Sequence, residues 1–326
     1  MTALFVSTYF AQTYGSEIEA VASELGVQFD LILLPADPTQ KLPAEDCERA
    51  EITFFSGDIV PTYQRTYFGA ATRAPNLRWM HVFNAGVDSP VFNTLLANGV
   101  RISTSSGSTA KPIAQTAIGG MLMLARRFPQ WGESQRRHEW NQIPSPAAPP
   151  DLDGQTIVVV GVGAIGNEIA RLARAIGLYV IGVRRSPQRD GDHVDEMVKP
   201  AALASVLPRA NWLALACPLT DDTRGLIDAA SLNLLPGGAH ILNIARGEVI
   251  DESAMIRALQ SGHLAGAYLD VFATEPLPAE SPLWDMPNVI VTPHNSAAAK
   301  GNEGRAVQYF FRNLRAYMKD EPLENE

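Results

Sequence analysis

The stretch that most constrains the fold of this 326-residue chain runs from Thr156 to Arg185, TIVVVGVGAIGNEIARLARAIGLYVIGVRR. It opens on β-branched residues, the composition of a strand buried on both faces. It breaks at Gly161-Val-Gly163-Ala-Ile-Gly166 and continues with Ile169, Leu172, Ala173 and Ile176 at helical spacing. A second apolar strand, Leu178 to Val183, follows. A GxGxxG triplet alone is weak, but between a strand and a helix in a βαβ unit of roughly thirty residues it points to a dinucleotide site. Gly161 permits the tight turn, Gly163 lets a pyrophosphate approach the backbone, and Gly166 lets helix and strand pack closely. The helix N-terminus presents N–H groups and partial positive charge to the phosphates.

The end of the second strand bears on which dinucleotide. An NAD site places Asp or Glu there for the ribose 2′-hydroxyl, whereas this chain has Arg184-Arg185-Ser186. A carboxylate repels a 2′-phosphate and a planar guanidinium grips it. The expectation is NADP(H), with NAD(H) second; the alternative is a solvated arginine pair with no ligand.

The length allows two domains, each with its own core. A net charge of −9 argues against nucleic acid or an anionic membrane as main partner. Cys47 and Cys217 make no disulfide framework and have no metal-ligand spacing, so no metal is expected. The N-terminal MTALFVSTYF reads as a first strand and not a secretory signal. The longest helical apolar run, Ile113 to Ala125, is too short for a bilayer. These features predict a cytoplasmic protein.

Residues 1 to about 105 alternate strand-like segments (Ala3–Ser7, Phe29–Leu34, Ile52–Phe55, Trp79–Phe83, Val100–Ser103) with helix-like ones such as Glu17–Leu25 and Pro90–Ala97. That alternation predicts a parallel sheet with helices on both faces. Asn84-Ala85-Gly86-Val87-Asp88 closes one of these strands. A glycine turn at a strand's carboxyl end is where such sheets bind ligands, although a plain strand-to-helix turn fits equally. Lys111 to Phe128 reads as a long apolar helix bridging two domains, with Pro112 in its first turn. Residues 129 to 153 read as an irregular crossing, either a dimer arm or a surface loop. Beyond it, Trp212–Ala216, His240–Ile244, Ala265–Asp270 and Val289–Thr292 continue the strand pattern, and Asn302–Met318 is an amphipathic helix that packs back on the first domain. The predicted fold is two Rossmann-like, doubly wound α/β domains with a cleft between them: a flavodoxin-like substrate domain (1–106 and 295–326) and a dinucleotide-binding domain (107–294).

Three residues follow strands in the later half: Arg246 in LNIARG, Glu275 in DVFATEP and His294 in VTPHNS. Together they suffice to reduce a 2-oxo acid. Arginine's fork matches a carboxylate, histidine delivers a proton as hydride arrives, and a carboxylate orients the imidazole. Singly, each has a plainer reading as a loop residue, a surface ion-pair partner or one of six histidines.

The stretches VVVGVGAIGNEIARLARAIG, CPLTDDTRGLID, LPGGAHILNIARGEVIDESAMIRALQSGHLAGAYLDVF, EPLP and SPLWDMPNVIVTPH resemble the D-isomer-specific 2-hydroxyacid dehydrogenase family, closely from Gln155 to His294. AGVDS, SPLW and the strand-end arginine resemble its NADPH-dependent glyoxylate/hydroxypyruvate reductase branch. The resemblance implies that His294 donates and accepts the proton, paired with Glu275, while Arg246 holds the oxo acid. It places Ala164 and Ile165 on the pyrophosphate, Cys217-Pro218 and Ile244-Ala245 by the nicotinamide half, and Asp270 on the carboxamide. Ala85, Gly86 and Val87 fall on the substrate carboxylate, with Gly86 and Val87 offering N–H groups. It implies a homodimer. Ile113-Ala114-Gln115 stands where members often carry Val-Ala-Glu, Lys111 is an unexpected cation, and Asn295 replaces a usual apolar residue. Other readings are an NAD-dependent member acting on another acid, formate and phosphite oxidation among them, a dinucleotide-sensing corepressor and a catalytically silent relative. The last would have lost one of the three site residues.

Overall fold

The computed structural model describes residues 2–84, 86–87 and 89–326, and divides into Met1–Ser108 with Ala299–Glu326 as one unit and Thr109–Ala298 as the other. Every strand pairing among the described residues is parallel.

In the first unit, β1 (Thr2–Val6), β2 (Phe29–Leu33), β3 (Ile52–Phe55), β4 (Trp79–Val82) and β5 (Arg101–Thr104) lie in the order β2-β1-β3-β4-β5. This is the doubly wound flavodoxin-like order. Alternate residues of β1 serve opposite cores: Ala3 and Phe5 on one face, Leu4 and Val6 on the other. The C-terminal helix Asn302–Met318 covers the second face, where Phe310 stacks on Phe54 with ring centroids 4.6 Å apart. The tail is thus a structural part of this unit's core. The first helix is longer than the sequence suggests, Thr8–Leu25, with a kink at Tyr14. Its aromatic, glycine-containing start has poor helix propensity. Ser7 capping the Phe10 N–H and burial of Phe10 make up the difference.

The second unit carries β6 (Thr156–Val160), β7 (Tyr179–Val183), β8 (Glu196–Val198), β9 (Trp212–Leu215), β10 (Ala239–Asn243), β11 (Leu264–Leu269) and β12 (Val289–Val291). Their order is β12-β11-β10-β9-β6-β7-β8, so the chain reverses direction across the sheet between β6 and β9. Val158 and Val160 face one core while Ile157 and Val159 face the other, as a strand covered on both sides requires. The register is level at the carboxyl ends. Val198, Val183, Val160, Leu215, Asn243, Leu269 and Val291 form one row of paired residues.

Two expectations are corrected here. The apolar helix is Ala110–Ala125, belongs wholly to the second unit, and stops before Arg127, whose φ is 58°. Gly120 lets it press on Tyr268, whose ring carbons stand 2.5 Å from where a Cβ would lie. The following stretch is not wholly irregular, because Phe128–Arg136 is a second helix with Pro129 in its first turn. The left-handed residue between them ends one helix and re-aims the next.

β4 carries one polar side chain into the aromatic face. His81 is fully buried, with Nδ1 2.8 Å from Ser103 Oγ and Nε2 3.0 Å from Ser105 Oγ. Ser103 Oγ already accepts from Trp79 Nε1 and Asn313 Nδ2, so it donates its one proton to His81 Nδ1. That assigns His81 as the neutral Nε2–H tautomer. Burial, with Arg312 adding to it, pushes its pKa down to about 3. The unfolded chain therefore takes up a proton near pH 6.5 that the folded chain refuses. The stabilisation is complete above about pH 6.5 and is lost as pH falls from there toward about 3, each unit of displacement being worth about 1.4 kcal/mol. His81→Gln is expected to flatten the dependence of unfolding free energy on pH between 4 and 6.5, measured by urea titration. A variant slope equal to the wild type's refutes this.

Candidate active site

The level register means that every loop leaving the carboxyl ends of the second sheet starts from one line. Gly161 follows β6 directly with φ +95°, and a Cβ there would lie 2.6 Å from Cys217 Cα. Glycine is required both by the turn and by the approach of the loop after β9. A Cβ on Gly166 would collide with the Gly161 carbonyl, so that glycine sets the packing of the helix Ala164–Ala175 against its strand. At Gly163 a Cβ would meet nothing within 4 Å, and the residue caps the helix with no side chain over its N–H groups. Ala164 is exposed and Ile165 half-buried on that first turn. This open, uncapped helix start fits a pyrophosphate.

Cys217, Ile244 and Ala245 are buried where β9 and β10 end, with Pro218 exposed beside them, and burial pushes the Cys217 thiol up. The sequence assigned residues here without the group that shapes them. Asn243, 1% exposed, accepts from Ala245 N at 3.1 Å and donates to the Arg246 carbonyl at 3.2 Å. Gly247 then presses on the Phe272–Ala273 backbone so closely that no Cβ fits. Arg246 projects from this pinned turn, exposed, and the only partner of its guanidinium among the described residues is the Ala245 carbonyl at 2.7 Å.

Glu275 is held by the Phe272 N–H, which donates to Oε1 at 3.0 Å, and its Oε2 lies 2.7 Å from His294 Nδ1. The carboxylate occupies Nδ1 and leaves Nε2 as the nitrogen available for proton exchange. His294 has φ 49°, a left-handed conformation uncommon for a side chain of this size. Asp270 explains how it is kept. This 2%-exposed carboxylate accepts from Thr292 Oγ1 at 2.6 Å, Asn295 N at 2.9 Å, and both Ser296 N and Oγ, while its own carbonyl accepts from His294 N at 2.8 Å. Asp270 therefore folds the loop on which His294 stands, and Asn295 contributes to that loop through its backbone.

Arg184 is the other residue whose surroundings exceed the sequence reading. Its guanidinium forms a bidentate pair with Asp192, at 3.0 and 2.6 Å, and bonds the Val162, Ser186 and Pro187 carbonyls. Arg185 is exposed and pairs with exposed Asp222, and Ser186 Oγ accepts from Arg189 Nη2 at 3.2 Å. Lys111 is exposed and near enough to Glu168 to help lower its pKa, after the dominant effect of Arg171. In the first unit, Gly86 and Val87 are half-buried in the turn after β4, and Ala85 lies outside the described residues. Among the described residues no group of three or more His, Cys, Asp and Glu could hold a metal, and no helix is long and apolar enough to cross a membrane.

Residues 118–296 match the model of the D-isomer specific 2-hydroxyacid dehydrogenase NAD binding domain. The chain belongs to the D-isomer specific 2-hydroxyacid dehydrogenase family. It is 34% identical over 235 residues to a D-3-phosphoglycerate dehydrogenase of Mycobacterium bovis, a match covering 72% of this chain but only 43% of that longer protein. A solved family member from Xanthobacter autotrophicus, in complex with NADPH and MES, superposes with TM-score 0.76 at 30% identity, covering 99% of this chain and 96% of the other. An NADPH-dependent glyoxylate/hydroxypyruvate reductase of Sinorhizobium meliloti, solved with NADP and sulfate, gives TM-score 0.75 at 27% identity over 100% and 98% of the two chains.

The closeness of the Arg246 turn to the Glu275 segment rests on a glycine. Gly247→Ala is expected to destabilise the protein by about 3 kcal/mol, because the added methyl meets backbone that has nowhere to move. Thermal denaturation checks it, and an unaltered midpoint contradicts it.

Proposed function

We propose that this protein is an NADPH-dependent reductase of small 2-oxo acids of the glyoxylate or hydroxypyruvate type, forming the D-2-hydroxy acid. The observation that carries the reading is the Glu275–His294 pair at 2.7 Å, on the same sheet edge as an exposed Arg246 whose guanidinium bonds only the Ala245 carbonyl among the described residues. The glycine turn and uncapped helix start fit a dinucleotide pyrophosphate. The exposed Arg185 and Arg189, with no acid as the first residue after β7, support NADPH over NADH, as do the dinucleotides bound to the two solved relatives.

NADPH supplies the hydride. The protein's part is to hold the oxo acid through Arg246, whose fork grips the carboxylate and polarises the adjoining carbonyl. His294, charged and oriented by Glu275, delivers a proton from Nε2 to the carbonyl oxygen as negative charge develops there. Ile244, Ala245 and Cys217 provide apolar walls that keep water from competing. In the reverse direction neutral His294 takes the hydroxyl proton.

Oxidation of NADPH and NADH, followed in parallel with glyoxylate, hydroxypyruvate, pyruvate and phenylpyruvate, tests this directly. NADPH-linked turnover is the expected result; turnover with NADH alone refutes the cofactor choice, and none with either refutes the reading. His294→Ala is expected to lower kcat by about 10²- to 10⁴-fold, the usual share of one acid–base group, with dinucleotide affinity within a few-fold of wild type. Arg246→Lys is expected to raise KM for the acid about tenfold or more, because an ammonium offers no planar fork. Equal kcat/KM in wild type and either variant removes that residue from the chemistry.

A further inference from the structure

The guanidinium of Arg184 has five N–H donors, and all five have acceptors inside the chain. Nε donates to the Ser186 carbonyl, Nη1 to the Val162 carbonyl and Asp192 Oδ1, and Nη2 to the Pro187 carbonyl and Asp192 Oδ2. The pair is withdrawn from water, with 15% of the Arg184 side chain and 8% of the Asp192 side chain exposed. Arg189 N also donates to Asp192 Oδ2, at 2.7 Å. The loop is tied at a second place by Asn167, the residue after the glycine triplet, which donates to the Gly191 carbonyl at 3.0 Å and accepts from His193 N at 2.7 Å. The chain from β7 to β8 is thus folded around Arg184. A positive charge the sequence placed at the dinucleotide's ribose is cancelled there by an acid eight residues downstream.

We propose that Asp192 is a selectivity residue: it withholds Arg184 from the cofactor and leaves the 2′-phosphate to Arg185, Arg189 and the Ser186 hydroxyl. This rests on the NADPH reading above. Arg185 is held only by a pair whose side chains are 73% and 78% exposed, so a phosphate displaces Asp222 at little cost. Arg189 stands exposed with one donor on Ser186 Oγ, placing a cation and a hydroxyl side by side at the loop surface. Asp192 sets a limit on the preference, because a half-buried carboxylate beside the strand end lowers the positive potential a dianionic 2′-phosphate meets.

Dissociation constants for NADPH, NADH, 2′,5′-ADP and 5′-AMP, measured by calorimetry on the full chain, test the assignment without recourse to turnover. Asp192→Asn keeps an oxygen for the Arg189 N–H and removes the charge. It is expected to raise the ratio of NADPH to NADH affinity about tenfold, the scale of one charge-assisted hydrogen bond. Asp192→Asn combined with Arg184→Met is expected to return the ratio to that of wild type. Arg185→Ala and Arg189→Ala are each expected to weaken 2′,5′-ADP about tenfold and 5′-AMP less than twofold. An unchanged ratio in Asp192→Asn, or a gain that survives loss of Arg184, overturns the role of Asp192. A ratio far below that of wild type in the double variant Asp192→Asn, Arg184→Met, where both charges are gone, overturns the withholding. Wild-type protein that binds neither dinucleotide overturns the functional reading and this assignment together, whereas binding of both with no effect of Asp192→Asn overturns this assignment alone.

Discussion

The row of paired residues that ends the second sheet, from Val198 through Val160 and Asn243 to Val291, is the constraint on which the rest of the unit depends. Parallel pairing fixes each strand against its neighbour at even spacing, and burial on both faces makes a slip of one residue prohibitive. With the row level, Gly161, Arg184, Cys217, Arg246, Asp270 and His294 all start within a few residues of a common line. Residues far apart in sequence are brought together by hydrogen-bond register before any side chain of the site makes a contact. The apolar cores on the two faces supply the free energy that holds the register.

Past the row the apolar pattern stops, and buried or half-buried polar side chains take over. Asn243 ties the turn of Arg246, Asp270 ties the loop of His294, and Asn167 with Asp192 ties the loop after β7. Each is a short side chain with two or more partners, at least one of them a backbone group, which is the geometry that substitutes for a ladder where none is available. These groups are costly to leave half-satisfied, so the loops have one low-energy arrangement. His294 in a left-handed conformation shows the consequence: the backbone strain is of order 1 kcal/mol and is outweighed by the bonds gathered on Asp270.

Much of this was legible in the sequence, because strands and glycines advertise themselves. β3, the helix Pro90–Ala97 and the tail helix fall where periodicity puts them, and the other strands expected fall within a residue or so of their predicted ends. What was illegible has identifiable causes. β8 is a three-residue edge strand, Glu196-Met-Val, too short and too exposed to show alternation. The helix Gln64–Ala71 mixes polar and aromatic residues with a glycine, so tertiary burial of Tyr67 and Phe68 decides it and not propensity. The break at Arg127 depends on a single left-handed residue that arginine does not announce. At the candidate site, residue types pointed to Arg246, Glu275 and His294, but not to Asn243, Asp192 or the tying role of Asp270, whose backbone, hydroxyl and guanidinium partners no residue pattern encodes.

Two carboxylates of this unit, buried Asp270 and half-buried Asp192, illustrate why identity at a strand end is an incomplete guide to function. Both are hydrogen-bonded within the chain, yet Asp270 gathers neutral donors and Asp192 a guanidinium. Hydrogen bonds from N–H and O–H groups hold Asp270 with no cation opposite it, on the loop that carries His294. Pairing with Arg184 cancels the charge of Asp192 and, equally, the positive charge that Arg184 would otherwise present. An arginine after β7 therefore has two different electrostatic meanings according to whether a carboxylate returns to meet it. In this chain the returning acid lies eight positions on, and the field at the end of β7 is set by that contact and by the arginines left outside it.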